Sequence, residues 1–414
     1  MSLFNSMLTA TSGMGAQSSA LSAIGDNIAN SSTVGYKDAQ AQFESMLGNS
    51  STSDYESGGV QTDIRYGIST QGTLESTSSP TDLAISGNGF FVVSNGGQGT
   101  YLTRAGSFVP DSSGNLVNTA GYSLMGYPVN ADGTTSSTLS VVNVDDQTLQ
   151  ASASTSGTLT ANLPSNATAV AAADLPSTNS ANATYTDKTS ITVYDNLGNP
   201  DVLDVYLTKT GANTWEATAY QQSAASSSGG FPYTSGPVGT QNLTFSPTTG
   251  AISSTPASLS VTVPNGNTVA INMSATTQLA SAFSVSTATA NGNAPSKLAS
   301  VQIGTDGTLT DVYASGYQKV AYKIPLATVE SPNNLTPLSG NVYQTNQNSG
   351  AMTLSEASTN GTGTIQSDSL EESTVDLATE LSNMIVAQNA YEANSKVLQT
   401  ASDLLSVLNR LTTG

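Results

Sequence analysis

Three acidic residues, Asp195, Asp201 and Asp204, come closest to a catalytic arrangement by type and spacing. Two facing carboxylates could act as acid and base in the hydrolysis of a glycosidic bond. The local pattern places these residues in a hairpin loop and on strand surfaces, where solvated acids and Asx turns are usual. We therefore predict no catalytic role. A polysaccharide-active enzyme is the alternative, and loss of a hydrolytic activity in Asp201→Ala would support it.

Other catalytic and ligand-binding chemistry is limited by the residues present. The chain contains no His, the commonest general base and metal ligand, and no Cys for a thiolate, a disulfide or a metal. Residues 87–90, Gly-Asn-Gly-Phe, begin like a dinucleotide fingerprint, but the third Gly is missing and a strand pattern follows instead of a helix. We interpret this string as a structural turn and predict no catalytic, cofactor or metal site.

The composition narrows the class of partner. Only 9% of the 414 residues are charged, and 29 acidic against 10 basic residues give a net charge of -19. Nucleic acids and anionic membranes require basic patches, so this balance argues against both. No stretch approaches the ~18 apolar residues of a membrane span. The residues before Lys37 lack the basic and apolar regions of a cleavable signal peptide, so we expect export, if any, by another route.

The elements that carry the clearest pattern lie at the two ends. Near the N-terminus, apolar residues recur every three or four positions, which predicts a helix with one face against a partner helix. Its seam consists of Leu3, Met7, Ala10, Met14, Gln17, Leu21, Ile24 and Ile28. An ordinary amphipathic helix packed on its own domain is the alternative for this segment alone.

A second helical pattern follows Ser373, with Asp376 as a possible member of a capping box, and continues almost to Gly414. Its apolar positions are Leu377, Leu381, Met384, Ala387, Tyr391, Val397, Leu398, Ala401, Leu404, Leu405, Leu408 and Leu411. A face this broad can contact more than one neighbouring helix. Because two lone helices are marginally stable, we interpret both ends as assembly segments whose burial other subunits complete.

The residues of this predicted subunit interface belong to both helical segments. They are Leu3, Met7, Met14, Leu21, Ile24, Ile28, Leu377, Leu381, Met384, Tyr391, Leu398, Leu405 and Leu408.

Between the helices the pattern changes to short strands. Predicted strands cover residues 83–85, 90–93, 101–102, 108–109, 191–194, 202–207, 214–220, 301–303 and 309–313. Residues 195–199, 211–213 and 305–307 have the composition of tight hairpin turns. Residues 130–184 carry little pattern, and we predict loops and edge strands of an inserted domain there. Residues 39–72, with an acidic string at 54–56, are either a solvated connector or a contact with neighbouring subunits.

Several strings resemble the signatures of bacterial flagellar rod and hook proteins. They are NIANSSTVGYK at 27–37, GNGFF at 87–91, TRAGSF at 103–108, GNLV at 114–117, GY at 121–122, LEESTVDL at 370–377 and QNAYEAN at 388–394. The motif residues carried over are Asn27, Asn30, Gly35, Tyr36, Gly87, Gly89, Phe90, Phe91, Arg104, Gly106 and Phe108. The family usually has Asn where this chain has Thr374, and often a basic residue at Asn389. Both departures are mild.

Because the motifs occur in order at both ends, the chain is identified as a member of the flagellar axial protein family. Rod proteins resemble these ends but have a smaller central part, whereas the insertion here is similar to the outer domain of hook proteins. The resemblance implies a structural subunit of the hook, which polymerises into a flexible helical tube and transmits torque as a universal joint. A distal rod or hook-associated protein is the alternative, and a secreted adhesin-like β-protein is a more distant one.

The resemblance also implies partners and a location. The partners would be other copies of the chain, the rod, the hook cap, the hook–filament junction proteins and the flagellar export apparatus. The location would be the extracellular part of the flagellum.

We predict a mixed, mainly β fold in discontinuous layers, with paired N- and C-terminal helices in a coiled coil and outer domains resembling barrels or sandwiches. The predicted segments are a terminal helical domain (1–30 and 370–414), a connector (31–75), an inner β domain (76–144 and 292–365) and an inserted outer β domain (145–291).

Overall fold

The computed structural model describes residues 3–46, 58–96, 99–130, 132–145, 148–227 and 229–413, with only the backbone of Leu3, Thr412 and Thr413. The chain divides into two compact units. Unit 1 comprises Met1–Asp146, Val301–Asp311 and Lys319–Gly414, and unit 2 comprises Gln147–Ser300 and Val312–Gln318. The finer division into terminal, connector, inner and outer segments stays a prediction.

The chain is mainly β, with one long helix at each end, as the sequence predicted. The helices are α1 (Leu3–Ala29) and α2 (Leu377–Thr413). The α2 helix begins after Asp376, whose side chain accepts hydrogen bonds from the backbone N–H groups of Ala378 (2.8 Å) and Thr379 (3.3 Å). The predicted capping box with Ser373 is therefore wrong, because Asp376 is itself the N-cap.

The strands before unit 2 are short. They are β1 (Ala39–Ser45), β2 (Val60–Tyr66), β3 (Leu74–Ser76), β4 (Leu83–Ser86), β5 (Phe90–Ser94), β6 (Thr100–Thr103), β7 (Val109–Pro110), β8 (Leu116–Val117), β9 (Ser123–Pro128) and β10 (Ser140–Val141). The β1–β2 pair occupies much of the segment for which a solvated connector was one reading, and residues 54–56 lie outside the described residues.

The strands that follow up to residue 296 belong to unit 2. They are β11 (Gln150–Ser152), β12 (Ser156–Pro164), β13 (Asp187–Tyr194), β14 (Pro200–Lys209), β15 (Thr214–Gln221), β16 (Gly239–Thr244), β17 (Ser258–Thr262), β18 (Thr268–Asn272), β19 (Thr277–Leu279), β20 (Ser284–Ala290) and β21 (Asn293–Ser296). Short 3₁₀ helices occupy Ala172–Asp174, Pro176–Thr178 and Gln222–Ala224.

The returning segment completes the β structure. Its strands are β22 (Leu298–Ile303), β23 (Thr308–Tyr313), β24 (Gln318–Lys323), β25 (Pro325–Thr328), β26 (Thr336–Leu338), β27 (Val342–Gln344), β28 (Thr353–Glu356), β29 (Thr364–Ser367) and β30 (Ser369–Glu371). A 3₁₀ helix at Pro332–Asn334 precedes β26.

Unit 1 is built from strands that are distant in sequence. The run β24-β9-β5-β6-β27-β26 is hydrogen-bonded in that order, and β4 pairs with β29 and β3 with β30. Its main core includes Phe91, Phe108 and Leu326. Chain segments near both ends are thus joined in one fold.

Unit 2 has two open sheets around one core. The antiparallel sheet β13-β14-β15-β16 and the sheet formed by β17, β18, β12, β19 and β20 both contribute to a core that contains Trp215. The sandwich-like form is therefore confirmed, and the barrel form is not adopted among the described strands. The predicted hairpins β13–β14, β14–β15 and β22–β23 are also confirmed.

Residues 130–184 depart from the prediction. The β12 strand lies inside its sheet, with β18 and β19 parallel on one side and β20 antiparallel on the other. Its partners lie about a hundred residues further along the chain, so local turn signals do not reveal them. The expectation of edge strands is therefore wrong for β12.

Candidate assembly surface and its buried anchor

The two terminal helices form an antiparallel pair with small side chains between them. A methyl group built on Gly13 would lie 2.9 Å from Nδ2 of Asn394, and the Asn27 side chain faces Glu380. The buried residues described on the pair are Ala10, Ala16, Ala20, Ala23, Ile24 and Asn27 on α1, and Glu380, Ala387 and Ala401 on α2. Small side chains allow the two helix axes to approach closely.

This seam is displaced from the predicted one on α1. Met7, Met14, Leu21 and Ile28 are half-buried, while Ala10 and Ile24 of the predicted seam are buried within the chain itself. The predicted seam was based mainly on large apolar side chains, whereas the positions where α1 lies close to α2 are mostly alanine. Gln17 is also half-buried and lies beside the seam.

On α2 most of the predicted interface residues are exposed. Leu377, Leu381, Tyr391, Leu405 and Leu408 are exposed, and Met384 and Leu398 are half-buried. Further exposed apolar residues are Ile385, Val386, Val397, Leu404, Val407 and Leu411. So many exposed apolar side chains on one helix are typical of a protein interface rather than of a free helix.

A groove of about 410 Å³ lies between α1, α2 and β1. Its apolar walls include Ala20 and Ile24 of α1, Phe43 of β1, and Val386 of α2. Glu380 also lines the groove and is 7% exposed, and its Oε2 atom has no hydrogen-bond partner among the described residues. Burial raises the pKa of the Glu380 carboxyl, although a hydrogen bond with the Asn27 side chain opposes the rise.

A buried ionic cluster joins the segment that follows α1 and the segment that precedes α2 to the strands of unit 1. Glu371 accepts a hydrogen bond from Nζ of Lys37 at 2.5 Å through Oε1, and one from Arg104 at 3.2 Å through Oε2. The side chains of Lys37 and Glu371 have no exposed area, and that of Arg104 is 4% exposed. Burial lowers the pKa of Lys37 and of Arg104, and the Glu371 carboxylate opposes both shifts.

The remaining bonds of this cluster lead to the backbone of Thr70, Gly72 and, within a recognised motif, Gly87. Lys37 also donates to the carbonyl of Thr70, and Arg104 donates to that of Gly87 at 2.9 Å. The backbone N–H of Gly72 donates to Oε1 of Glu371 at 2.7 Å. The Arg104 guanidinium lies 5.2 Å from the ring centroid of Phe90. The motifs are therefore parts of one junction.

The N-terminal motif fixes the end of α1. The Asn27 side chain donates to the carbonyl of Ala39 (2.9 Å) and accepts from its N–H (2.8 Å), which joins α1 to β1. Tyr36 donates to Asn27 at 3.2 Å, and burial raises its pKa to about 12. Asn30 caps the last turn by donating to the carbonyl of Asp26 at 2.8 Å.

Glycines of the motifs lie where a side chain has no room. Gly35 has φ +65°, and a Cβ there would lie 2.6 Å from the backbone nitrogen of Ala105. A Cβ on Gly106 would lie 1.7 Å from the carbonyl oxygen of Leu83. Gly87 and Gly89 also have positive φ, as expected for the turn before β5. Phe91 and Phe108 pack edge to face with centroids 5.9 Å apart.

The acidic residues that could have formed a catalytic pair have separate structural roles. Asp195 accepts backbone hydrogen bonds from Leu197 and Asn199, each at 2.8 Å, which is an Asx turn. Asp201 accepts from Gln221 at 2.7 Å. Asp204 is buried and ion-paired with Lys188 at 2.8 Å, so its expected solvated position is wrong.

Two important residues were not predicted as site residues. In the sequence, Glu371 belongs to a motif string and Glu380 to the predicted C-terminal helix, and neither pattern marks a site residue. The small number of charged residues was the signal that could have identified them, because a charged side chain among apolar neighbours requires a partner. Among the described residues, no group of three or more acidic side chains is placed to hold a metal ion, and no helix is long and apolar enough to cross a membrane.

Four family models match parts of the chain, at both ends and over the continuous stretch 84–293. The flagellar basal body protein FlaE D2 domain model matches residues 162–293, and the flagellar hook protein FlgE/F/G D1 domain model matches 84–161. The flagella basal body rod protein model matches 7–37, and the flagellar basal body rod FlgEFG protein C-terminal model matches 366–411.

Similar proteins cover the same length. The chain is 47% identical to the flagellar hook protein FlgE of Brucella suis over 99% of this chain and 100% of that protein. It is 32% identical to that of Escherichia coli K12 over 97% and 98%, respectively. The crystal structure of Helicobacter pylori flagellar hook protein FlgE2 shares the fold at a TM-score of 0.50 and 14% identity, over 72% of this chain and all of that one. The chain belongs to the flagellar hook protein FlgE family.

Proposed function

We propose that the chain is a structural subunit of the bacterial flagellar hook and that it polymerises head to tail into a flexible helical tube. The observation that carries this proposal is the row of exposed apolar side chains along α2, from Leu377 to Leu411. These side chains are exposed although α2 packs against α1 through its buried positions Glu380, Ala387 and Ala401. Copies of the same chain would cover them in an open-ended polymer.

The proposal includes a mechanical role as a universal joint that transmits torque to the filament. Each row of subunits in a bent, rotating tube must shorten and lengthen in every turn. The Ser-, Thr- and Asn-rich surface of unit 2 supports such motion, because water-mediated polar contacts are exchanged at little cost. A purely structural role without catalysis belongs to this proposal, and the FlaE D2 match within unit 2 favours the hook over the rod.

We also propose the partners and location that the family implies. Besides other copies of the chain, the partners are the rod, the hook cap, the hook–filament junction proteins and the export apparatus. The protein would reach the outside of the cell through that apparatus without a cleavable signal peptide. The predicted segments 1–30 with 370–414, 31–75, 76–144 with 292–365, and 145–291 are part of the same proposal.

Electron microscopy of polymers from the purified chain tests the proposal. We expect curved tubes from the full chain and none from a chain lacking residues 1–30, which removes the partner of α2. A second variant, Leu381→Ser with Leu405→Ser, should keep the monomer's circular dichroism but lose polymerisation, because both residues are exposed. Ser382→Ala on the same helix is the matched control. Normal tubes from the truncated chain would refute the proposal.

A further inference from the structure

The groove between α1, α2 and β1 contains an acid that forms no ion pair with a described residue. Glu380 is more than nine-tenths buried, and its Oε2 atom has no partner among the described residues. The polar residues that line the groove with it are Gln17, Gln40 and Asn383, all uncharged, and Asp38 nearby is acidic. A buried carboxylate in such surroundings is costly, so the groove is suited to receive a cation within an apolar segment.

The far end of α2 has the complementary composition. Gly13 lies opposite Asn394, and Asn27 lies opposite Glu380. The number of residues from Gly13 to Asn27 on α1 equals that from Glu380 to Asn394 on α2. The same steps bring Leu3 opposite Leu404, so the following residues of α2 extend past Leu3. This extension carries exposed Leu405, Leu408 and Leu411 together with Arg410, which forms no ion pair with a described residue.

Arg410 cannot reach Glu380 of its own chain. The two residues lie on one continuous helix, about 45 Å apart at the helical rise of about 1.5 Å per residue. The acid and the cation are therefore available to different copies of the chain. Two different surfaces that complement each other give a head-to-tail contact that continues instead of closing.

We propose that the extended end of α2, residues 404–411 of a second copy, docks in the groove and that its Arg410 pairs with Glu380. This inference rests on the proposed function and specifies which surfaces join. The apolar side chains of the docked turns cover Val386 and Phe43, and the ion pair fixes the axial register of one subunit on the next. An Arg–carboxylate pair in a desolvated groove contributes to specificity as well as to affinity.

A double-mutant cycle on polymerisation tests the ion pair. The critical concentration is measured by sedimentation for Glu380→Gln, Arg410→Gln and the double variant, with Lys396→Gln as a control that removes an exposed cation from the same helix. We expect Arg410→Gln to raise the critical concentration about tenfold or more. The double variant should polymerise better than Arg410→Gln alone, because the neutral amide needs no counter-ion. Strictly additive effects would refute the pairing.

The stability of the unassembled chain separates an interface role from a structural one. Because burial raises the pKa of Glu380, its ionised form destabilises the unassembled chain. Glu380→Gln should therefore melt at the same or a higher temperature. We expect this variant to lose polymerisation while keeping its thermal stability. A lower melting temperature that accounts for the polymerisation defect would contradict the inference.

Cross-linking tests the docking directly, because the chain has no Cys of its own. Val386→Cys in the groove with Leu408→Cys in the extension should give a ladder of oxidised multimers in the polymer. Val386→Cys with Val397→Cys, another exposed position on α2, should give none. If the wild-type chain polymerises but the two cysteine pairs give equal ladders, or the first pair gives none, the docking inference is refuted and the proposed function is not. Failure of the wild-type chain to polymerise would refute the proposed function.

Discussion

Glu371 holds two cations inside unit 1, and its own backbone continues the same junction. Its carbonyl accepts a hydrogen bond from the N–H of Gly35 at 2.7 Å, while its carboxylate binds Lys37 and Arg104. Three charges are therefore removed from water at one point. Such a cluster is stable only while every member is present, since a buried charge without its partner is costly.

Replacing Glu371 by Gln should destabilise unit 1 by about 3–5 kcal/mol, because it leaves two buried cations without a counter-ion. The measurement is urea unfolding followed by circular dichroism at 222 nm, which reports α1 and α2. Glu75→Gln is the matched control: Glu75 is exposed on the strand that pairs with β30, and it should change the free energy by under about 0.5 kcal/mol. Equal effects of the two substitutions would show that the cluster does not carry this stability.

At the scale of residues, the sequence predicted roles that depend on near neighbours. The turn at Gly87 and Gly89 and the Asx turn at Asp195 follow from a few adjacent side chains. The bond between Lys37 and Glu371 joins residues 334 positions apart, so no local pattern contains it. The prediction that Asp204 is solvated was wrong for the same reason, because Tyr233, one of its buried partners, is distant in sequence.

Among the elements, hairpins were predictable and sheet interiors were not. The β13–β14 turn at residues 195–199 has its own composition signal. The parallel pairing of β12 with β18 depends instead on burial that only the folded chain provides. Both long helices were predicted from apolar periodicity, but buried Ala16, Ala20 and Ala23 of α1 were not, because alanine contributes little to that pattern.

The C-terminal end of α2 has fewer packing contacts than the part that lies against α1, and the two segments should therefore differ in local stability. Among the described side chains of α2 the last buried one is that of Ala401, and residues 402–411 are all exposed. We expect amide hydrogens in 402–411 to exchange rapidly in the unassembled chain and more than about tenfold more slowly in the polymer. Residues 383–395, which lie against α1, serve as the internal control and should be protected in both states. Equal protection of both segments in the unassembled chain would contradict this prediction.

For the whole molecule, each unit has a core of its own and a separate spectroscopic reporter. Both long helices belong to unit 1, and Trp215, the one tryptophan of the chain, is fully buried in unit 2. Helix dichroism therefore follows unit 1 and tryptophan fluorescence follows unit 2. Asp204 provides a perturbation confined to unit 2, where it accepts hydrogen bonds from Ser190 and Tyr233, each at 2.8 Å, besides its ion pair with Lys188.

Acid should weaken unit 2 through this residue. Burial alone would raise the pKa of Asp204, but the hydrogen bonds of Lys188, Tyr233 and Ser190 outweigh it and hold the pKa below its ordinary value of 3.8. The carboxylate thus contributes stability that is present above pH 3.8 and is lost as the pH falls through the lowered pKa. We expect Asp204→Asn to lower the free energy of unfolding reported by Trp215 at pH 7 by about 3 kcal/mol, and its urea midpoint with it. The further loss of stability on acidification should be smaller in this variant than in the wild-type chain. In Asp204→Asn the helix dichroism should keep its urea midpoint. In Glu371→Gln the midpoint of the helix dichroism should fall and that of the Trp215 fluorescence should stay unchanged. If each substitution moved both signals together, the two units would unfold as one, and a single cooperative core would replace the two described.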